Sequence, residues 1–283
     1  MMILKQKTKI IVQLMLIFFS LPIACSGGDM NEKAVHYDKY SDVPGAVWQK
    51  LANKSIYFGH QSVGYNILEG VSTLIKENSD IPLKIEETKT PKTFQPGVLT
   101  HSRLGENTVP KSKLNGFVDL VNKDGKNDAD IMFFKFCYID FNEKTDVKAL
   151  FKDYQKALAQ LKQKHPKTIF IHVTAPLTTI KQGEGLKAWI KKFIGRPMEG
   201  TMENIKRHEY NEMIRAAYSG KEPLFDLAKI ESTFPDGSRS TFESDGKTYY
   251  SLVPEYTSDG GHLNDMGKTT VARHFLVTLV NLV

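Results

Sequence analysis

The sequence predicts an α/β domain, a three-layer α/β/α sandwich around a mainly parallel five-stranded sheet. Two observations carry this expectation. Short apolar runs bounded by Gly or Pro alternate with segments whose apolar residues recur at helical spacing. The length of 283 residues, with 41% hydrophobic and 25% charged residues, suits one domain with a substantial core. Strands separated by helices pair in parallel through right-handed crossovers, which puts helices on both faces.

The first strand is read in Lys54-Ser-Ile-Tyr-Phe-Gly59, an apolar run stopped by glycine. Val63, Ile67, Val71 and Leu74 then mark a helix. Residues 81–87 alternate as an edge-like second strand, and Asp130–Cys137 is the strongest strand signal. A helix follows through Val147, Leu150, Tyr154, Leu158 and Leu161. A strand follows at Thr168–Thr174, then a helix through Ile205, Tyr210 and Ile214 that stops at Gly220. A short strand at Pro223–Leu227 and a helix lined by Val271, Phe275 and Leu279 end the chain. In such sheets ligands bind beyond the carboxyl ends of the strands.

Ahead of the domain, Lys5, Lys7 and Lys9 precede an apolar run, Ile10 to Ala24, that ends at small residues. This reads as a secretory signal over 1–25, with an uncleaved anchor as the alternative. Leu21-Pro-Ile-Ala-Cys25 resembles a lipobox, which makes Cys25 the expected lipidation site. Cleavage after Ser26 is the alternative. A polar tether over 26–40 would then lead into a domain over 41–283. The expected location is the cell envelope, with membrane attachment through the N-terminal lipid. With Cys25 lipidated or removed, Cys137 would remain as the only thiol, and so no intramolecular disulfide is expected. Each removed lysine takes one charge, bringing the formal +6 to +3. That balance argues against nucleic acid as a partner. Two stretches read as loop insertions, 177–200 and 232–256. The second carries Phe234, Phe242, Tyr249, Tyr250 and Tyr256.

The chemistry is sought at two places. Ser62, in Gly59-His-Gln-Ser-Val-Gly64, stands between the first strand and the first helix. Its amide would lie at a helix N-terminus, where free N–H groups and the macrodipole favour an oxyanion. An N-cap role is the structural alternative. Near the far end, Ser258-Asp-Gly-Gly-His-Leu-Asn264 puts Asp259 and His262 on a glycine turn before the last helix. A carboxylate there fixes the imidazole tautomer and leaves the other ring nitrogen as a base.

Together these pieces resemble the SGNH, or GDSL-like, hydrolase superfamily over most of the chain beyond the leader. In that family the nucleophile follows the first strand and Asp-x-x-His precedes the last helix. The resemblance implies Ser62, His262 and Asp259 as the catalytic triad. His60-Gln61-Ser62 stands where Gly-Asp-Ser is usual, and Arg207–Arg215 looks like the last crossover helix. The family's glycine block is matched by Gly105, with Gly97 competing, and Cys137-Tyr-Ile-Asp140 occupies the Gly-x-Asn-Asp position. Ile139 there replaces an asparagine that donates to the oxyanion. Gly105 and Asn107 are the expected oxyanion donors, and His60, Gln61 and Tyr138 the expected substrate pocket.

His101 is expected in a loop near the same edge, and His172 in the core. No set of ligand types has metal-site spacing, and no phosphate or dinucleotide fingerprint occurs, so neither a metal nor a cofactor is expected. The expected function is a monomeric serine esterase acting on a small-molecule or carbohydrate ester. A catalytically silent binding protein and an acyltransferase stand as alternatives.

Overall fold

In the computed structural model, residues 35–89, 91, 93–123, 129–180 and 198–283 are described here. The leader, Cys25 and the tether up to residue 34 lie outside the described residues, as does 181–197 of the first insertion. The folded unit runs from His36 to Val283. The Tyr37 amide donates to Asn281 Oδ1, and Asn281 Nδ2 donates back to the Tyr37 carbonyl, so the domain's contacts begin inside the expected tether.

Ile56–His60 (β1) is buried at every position, as a strand covered on both faces must be. It pairs in parallel with Val98–Arg103 (β3) on one side and Ile131–Phe134 (β4) on the other. Lys84–Glu87 (β2) adds an edge, and Ile169–Phe170 (β5) follows β4, giving the order β2-β3-β1-β4-β5. After Ile171 the chain continues as His172–Val173 (β6), paired with Leu224–Phe225 (β7). The helices are Gly45–Trp48 (α1), Val63–Glu77 (α2), Pro110–Asn122 (α3), Val147–Lys164 (α4), Thr201–Tyr218 (α5), Leu227–Glu231 (α6) and Asp265–Val280 (α7).

Strand alternation builds two cores. Ile56, Phe58, Ile131 and Phe133 pack with α2 and α7. Tyr57, Met132, Phe134 and Phe170 turn the other way, toward α3, α4 and α5. The result is the expected α/β/α arrangement. Two elements depart from the sequence reading. The strand beside β1 is β3, which the sequence reading does not contain, while the 81–87 segment forms the edge as expected. Polar residues conceal β3, yet Thr100, His101 and Ser102 are buried in it. Tyr57 Oη and Ser102 Oγ hydrogen-bond at 2.7 Å, which offsets the burial of both groups. Helix α3 is likewise absent from the sequence reading. Its core face is only Leu114, Phe117 and Val121, plus a fully buried Lys113.

The second insertion holds a hairpin, Thr241–Ser244 (β8) and Lys247–Tyr250 (β9). Its turn residues, Asp245 and Gly246, both have positive φ, the geometry that matches strand twist. Tyr249 and Tyr250 pack on His208 of α5, and the Arg239 guanidinium lies 3.9 Å from the Tyr250 ring centroid. Tyr256 is buried and donates to the Thr233 carbonyl.

Candidate active site

β1 ends at His60, and α2 begins at Val63, so Ser62 occupies the connecting turn. Its backbone takes φ 52° and ψ −116°, a region costly for a residue with a Cβ, on the order of 1–3 kcal/mol. Ser62 stands at the N-cap position of α2, but its side chain makes no capping bond to the helix. Instead Ser62 Oγ lies 2.7 Å from His262 Nε2. His262 Nδ1 lies 2.6 Å from Asp259 Oδ2.

The carboxylate is fixed by its own turn. Asp259 Oδ1 accepts from the Gly261 amide at 2.9 Å and the His262 amide at 2.8 Å. Partial burial acts to raise the Asp259 carboxyl, but those two amides and the His262 ring outweigh it and hold it well below the usual carboxylate range. Gly260, at φ 92°, lets the chain make this turn. Asn66 on α2 accepts from the Leu263 amide at 3.2 Å, which ties the histidine turn to the helix behind Ser62. Asn264 caps α7 through the Gly267 amide.

The opposite edge is formed where the chain leaves β3 and β4. Gly105 has φ 62°, and a Cβ there would meet the Lys113 amide nitrogen at 2.5 Å. Gln61 Nε2 donates to the Leu104 carbonyl at 3.0 Å and the Gly105 carbonyl at 2.5 Å. Beneath them, Lys113 Nζ bridges both oxygens of Asp140 at 2.6 and 2.7 Å, with both side chains fully buried. Asp140 also accepts from the Thr108 amide at 2.9 Å and the Cys137 amide at 2.7 Å. Lys113 further donates to Asn107 Oδ1 at 3.2 Å. One buried ion pair therefore locks the Gly105–Thr108 loop to the Cys137–Asp140 turn.

Two of the expected pocket residues have other work. His60 is fully buried, with Nε2 3.1 Å from His101 Nδ1 and its ring beneath the first turn of α2. A Cβ on Gly64 would sit 2.3 Å from that ring, so glycine is needed there. Burial, then the charges of Lys135 and Arg103 and the His101 ring, lower His60 to about 2, leaving it neutral. Gln61 is occupied with the Gly105 loop, as above. His101 lies in β3 rather than in a loop. His172 is in the core as expected, bonded to Tyr154 and Glu222.

Tyr138 does reach the site. An open cleft of about 460 Å³ runs from Tyr138, Asp259 and Gly261 past Thr178 and Thr179 to Arg207. Arg207 is almost wholly buried, and its Nε donates to the Tyr138 carbonyl at 3.0 Å. Burial lowers it to about 10, against the raising influence of Glu203 and Glu231. The aromatic residues of 232–256 are not among the cleft's described lining residues. Among the described residues no cluster of His, Cys and carboxylate side chains is placed to hold a metal ion. The sequence reading did not single out Lys113, whose position opposite Asp140 depends on the unrecognised helix α3.

No family model matches the chain, and no curated protein matches it. Solved structures similar to it include a Streptococcus pneumonia protein provisionally described as a platelet activating factor. It is 16% identical, with 82% of this chain and 91% of that one covered at a TM-score of 0.44. An acetyl xylan esterase is 14% identical, covering 78% and 96%, at 0.41. A Parabacteroides merdae protein provisionally described as a GDSL-like lipase is 12% identical, covering 81% and 96%, at 0.41. Likeness this distant carries nothing about chemistry.

Proposed function

We propose that this chain is an SGNH-type serine hydrolase that cleaves carboxylic esters, with Ser62 as nucleophile, His262 as general base and acid, and Asp259 as the group that orients the imidazole. The observation that carries the reading is the unbroken hydrogen-bonded series from Ser62 through His262 to Asp259, at 2.7 and 2.6 Å. Ser62 Oγ attacks the ester carbonyl carbon while His262 Nε2 takes its proton. The resulting oxyanion faces the N-terminus of α2, with the Ser62 and Gly105 amides as backbone donors. The tetrahedral intermediate collapses as His262 returns the proton to the leaving alcohol, and an acyl group remains on Ser62. Water, deprotonated by His262, then releases the acid and restores the serine. Asp259 stays ionised throughout, because its turn amides and the imidazole hold its proton affinity low.

The cleft suits a hydroxylated alcohol, such as that of an acylated sugar. Thr108, Asn142, Thr178 and Thr179 supply hydroxyl and amide groups along it, with little aromatic surface beyond Tyr138 and Phe141. The reading includes export and anchoring through lipidated Cys25, which Cys25→Ala tests by releasing the protein from membranes. For the activity, the test is turnover of acetyl esters of aryl alcohols and sugars by the wild type and by Ser62→Ala. The expected result is hydrolysis that disappears in the variant. Equal rates in the two proteins would remove Ser62 from the mechanism.

A further inference from the structure

The backbone amides leave an oxyanion one donor short of what its three lone-pair directions accept. Position 139, where the resemblance calls for an asparagine amide, carries an isoleucine that is 45% exposed. Asn107 accepts from Lys113 through its oxygen, which leaves its amide N–H groups as the competing donor. The neighbour of Ile139 is differently placed. The Tyr138 hydroxyl lies 3.5 Å from both ring nitrogens of His262. The two rings stand at 75° with centroids 5.6 Å apart, so the hydroxyl meets the imidazole from outside its hydrogen-bonding plane. Both ring nitrogens have shorter partners, Asp259 on Nδ1 and Ser62 on Nε2. The phenol proton is therefore left for the Ser62 oxygen or for whatever becomes bonded to it.

The ring is also clamped. Arg207 holds the Tyr138 carbonyl, and its guanidinium lies 5.8 Å from the ring centroid. On another side Gly261 presses so close that a Cβ would sit 2.9 Å from Cζ and 3.2 Å from Oη. The absence of a side chain at 261 is what admits the phenol to the site. Such fixed placement is what an oxyanion donor requires, since a donor that must reorganise during the reaction loses most of its effect.

We propose that Tyr138 is a further catalytic residue, whose phenol O–H donates to the carbonyl oxygen of the substrate as it becomes the oxyanion, in place of the side-chain amide missing at 139. This rests on the reading of Ser62 as the nucleophile. Burial and the Asp259 charge raise the phenol above its ordinary value, against a hydrogen bond with Ser62 that lowers it, so the group keeps its proton through the neutral range.

The test is steady-state hydrolysis of a small aryl acetate by the wild type, Tyr138→Phe, Asn107→Ala and Ser62→Ala. Phenylalanine keeps the ring against Gly261 and Arg207, and an unchanged Tm checks that it does. The expected result is a kcat roughly 100- to 1,000-fold lower in Tyr138→Phe, the usual loss for one oxyanion donor, with KM within about threefold. Asn107→Ala should lose less. A Tyr138→Phe kcat within about threefold of wild type, or a loss that falls on KM alone, would overturn the assignment. So would a larger kcat loss in Asn107→Ala. If activity depends on Ser62 and not on Tyr138, only this inference fails. If the wild type and Ser62→Ala behave alike, the nucleophile reading fails and takes this one with it.

Discussion

Between Thr257 and His262 the site is assembled from neighbours in the chain, whereas across the cleft the Gly105 and Tyr138 edge is assembled by a buried ion pair. On the first edge, Asp259 bonds amides two and three residues ahead and the ring three residues ahead, in a turn where Asp259 is more than half exposed. On the second, Lys113 and Asp140 are 27 positions apart and wholly buried, and they join two loops that lie far in sequence from each other and from the triad residues. The first edge invests little stability in its geometry, and the second invests a great deal. Changes on the two edges should therefore separate chemistry from folding.

The largest effect on turnover is expected on the local edge. Asp259→Asn would present an amide to His262 Nδ1, lose the charge that steadies the imidazolium and disturb the tautomer. Turnover of an acetyl ester should fall roughly 1,000- to 10,000-fold, with the urea midpoint almost unchanged because the position is exposed. A large loss of stability in that variant would mean that the turn is not as independent as it looks.

The opposite pattern is expected from the ion pair. Lys113→Met strands the Asp140 carboxylate in the core and should cost about 3–5 kcal/mol in urea unfolding. Adding Asp140→Leu should recover part of that stability, since an apolar pair no longer buries a lone charge. Turnover should stay low in the double variant, because the Thr108 and Cys137 amides have lost their shared acceptor. Full turnover in the double variant would show that the pair stabilises the fold without positioning the site.

A smaller effect follows from a buried carboxyl on α6. Glu231 is fully buried on α6, accepts the Leu177 amide, and is pushed up to about 8 by burial, against that amide and the charges of Lys135 and Arg207. The unfolded chain releases this proton near the ordinary glutamate value. Between that value and about 8 the unfolded state therefore gains by ionising, and stability falls as the pH rises. Glu231→Gln should lose less Tm than the wild type between pH 5.5 and 8, by a few degrees. Parallel curves for the two proteins would show that Glu231 ionises normally.

The same contrast governs how much the sequence discloses. Asp259 and His262 are legible because their geometry is fixed within four residues, and Ser62 because a strand end and a helix start bracket it. The strands β1 and β4 are legible because they are continuously apolar. The β3 strand is not, since Thr100, His101 and Ser102 look like loop residues until Tyr57 and His60 are seen beside them. Adjacency also misleads. His60 and Gln61 precede the serine, yet one ring turns under α2 and the other side chain ties down Gly105. Nothing local distinguishes those directions except Gly64, whose missing Cβ leaves room for the His60 ring. Tyr138 is found at the site for a reason equally remote in sequence, the bare backbone of Gly261.

The central claim is that Ser62 is an activated nucleophile, and covalent labelling tests it without knowledge of the substrate. The purified chain would be treated with a fluorophosphonate and the modified peptide located by mass spectrometry. The account predicts a single stoichiometric adduct on Ser62, formed in the wild type and absent from both Ser62→Ala and His262→Ala. An unlabelled wild-type protein, or an adduct formed equally fast without His262, would contradict it.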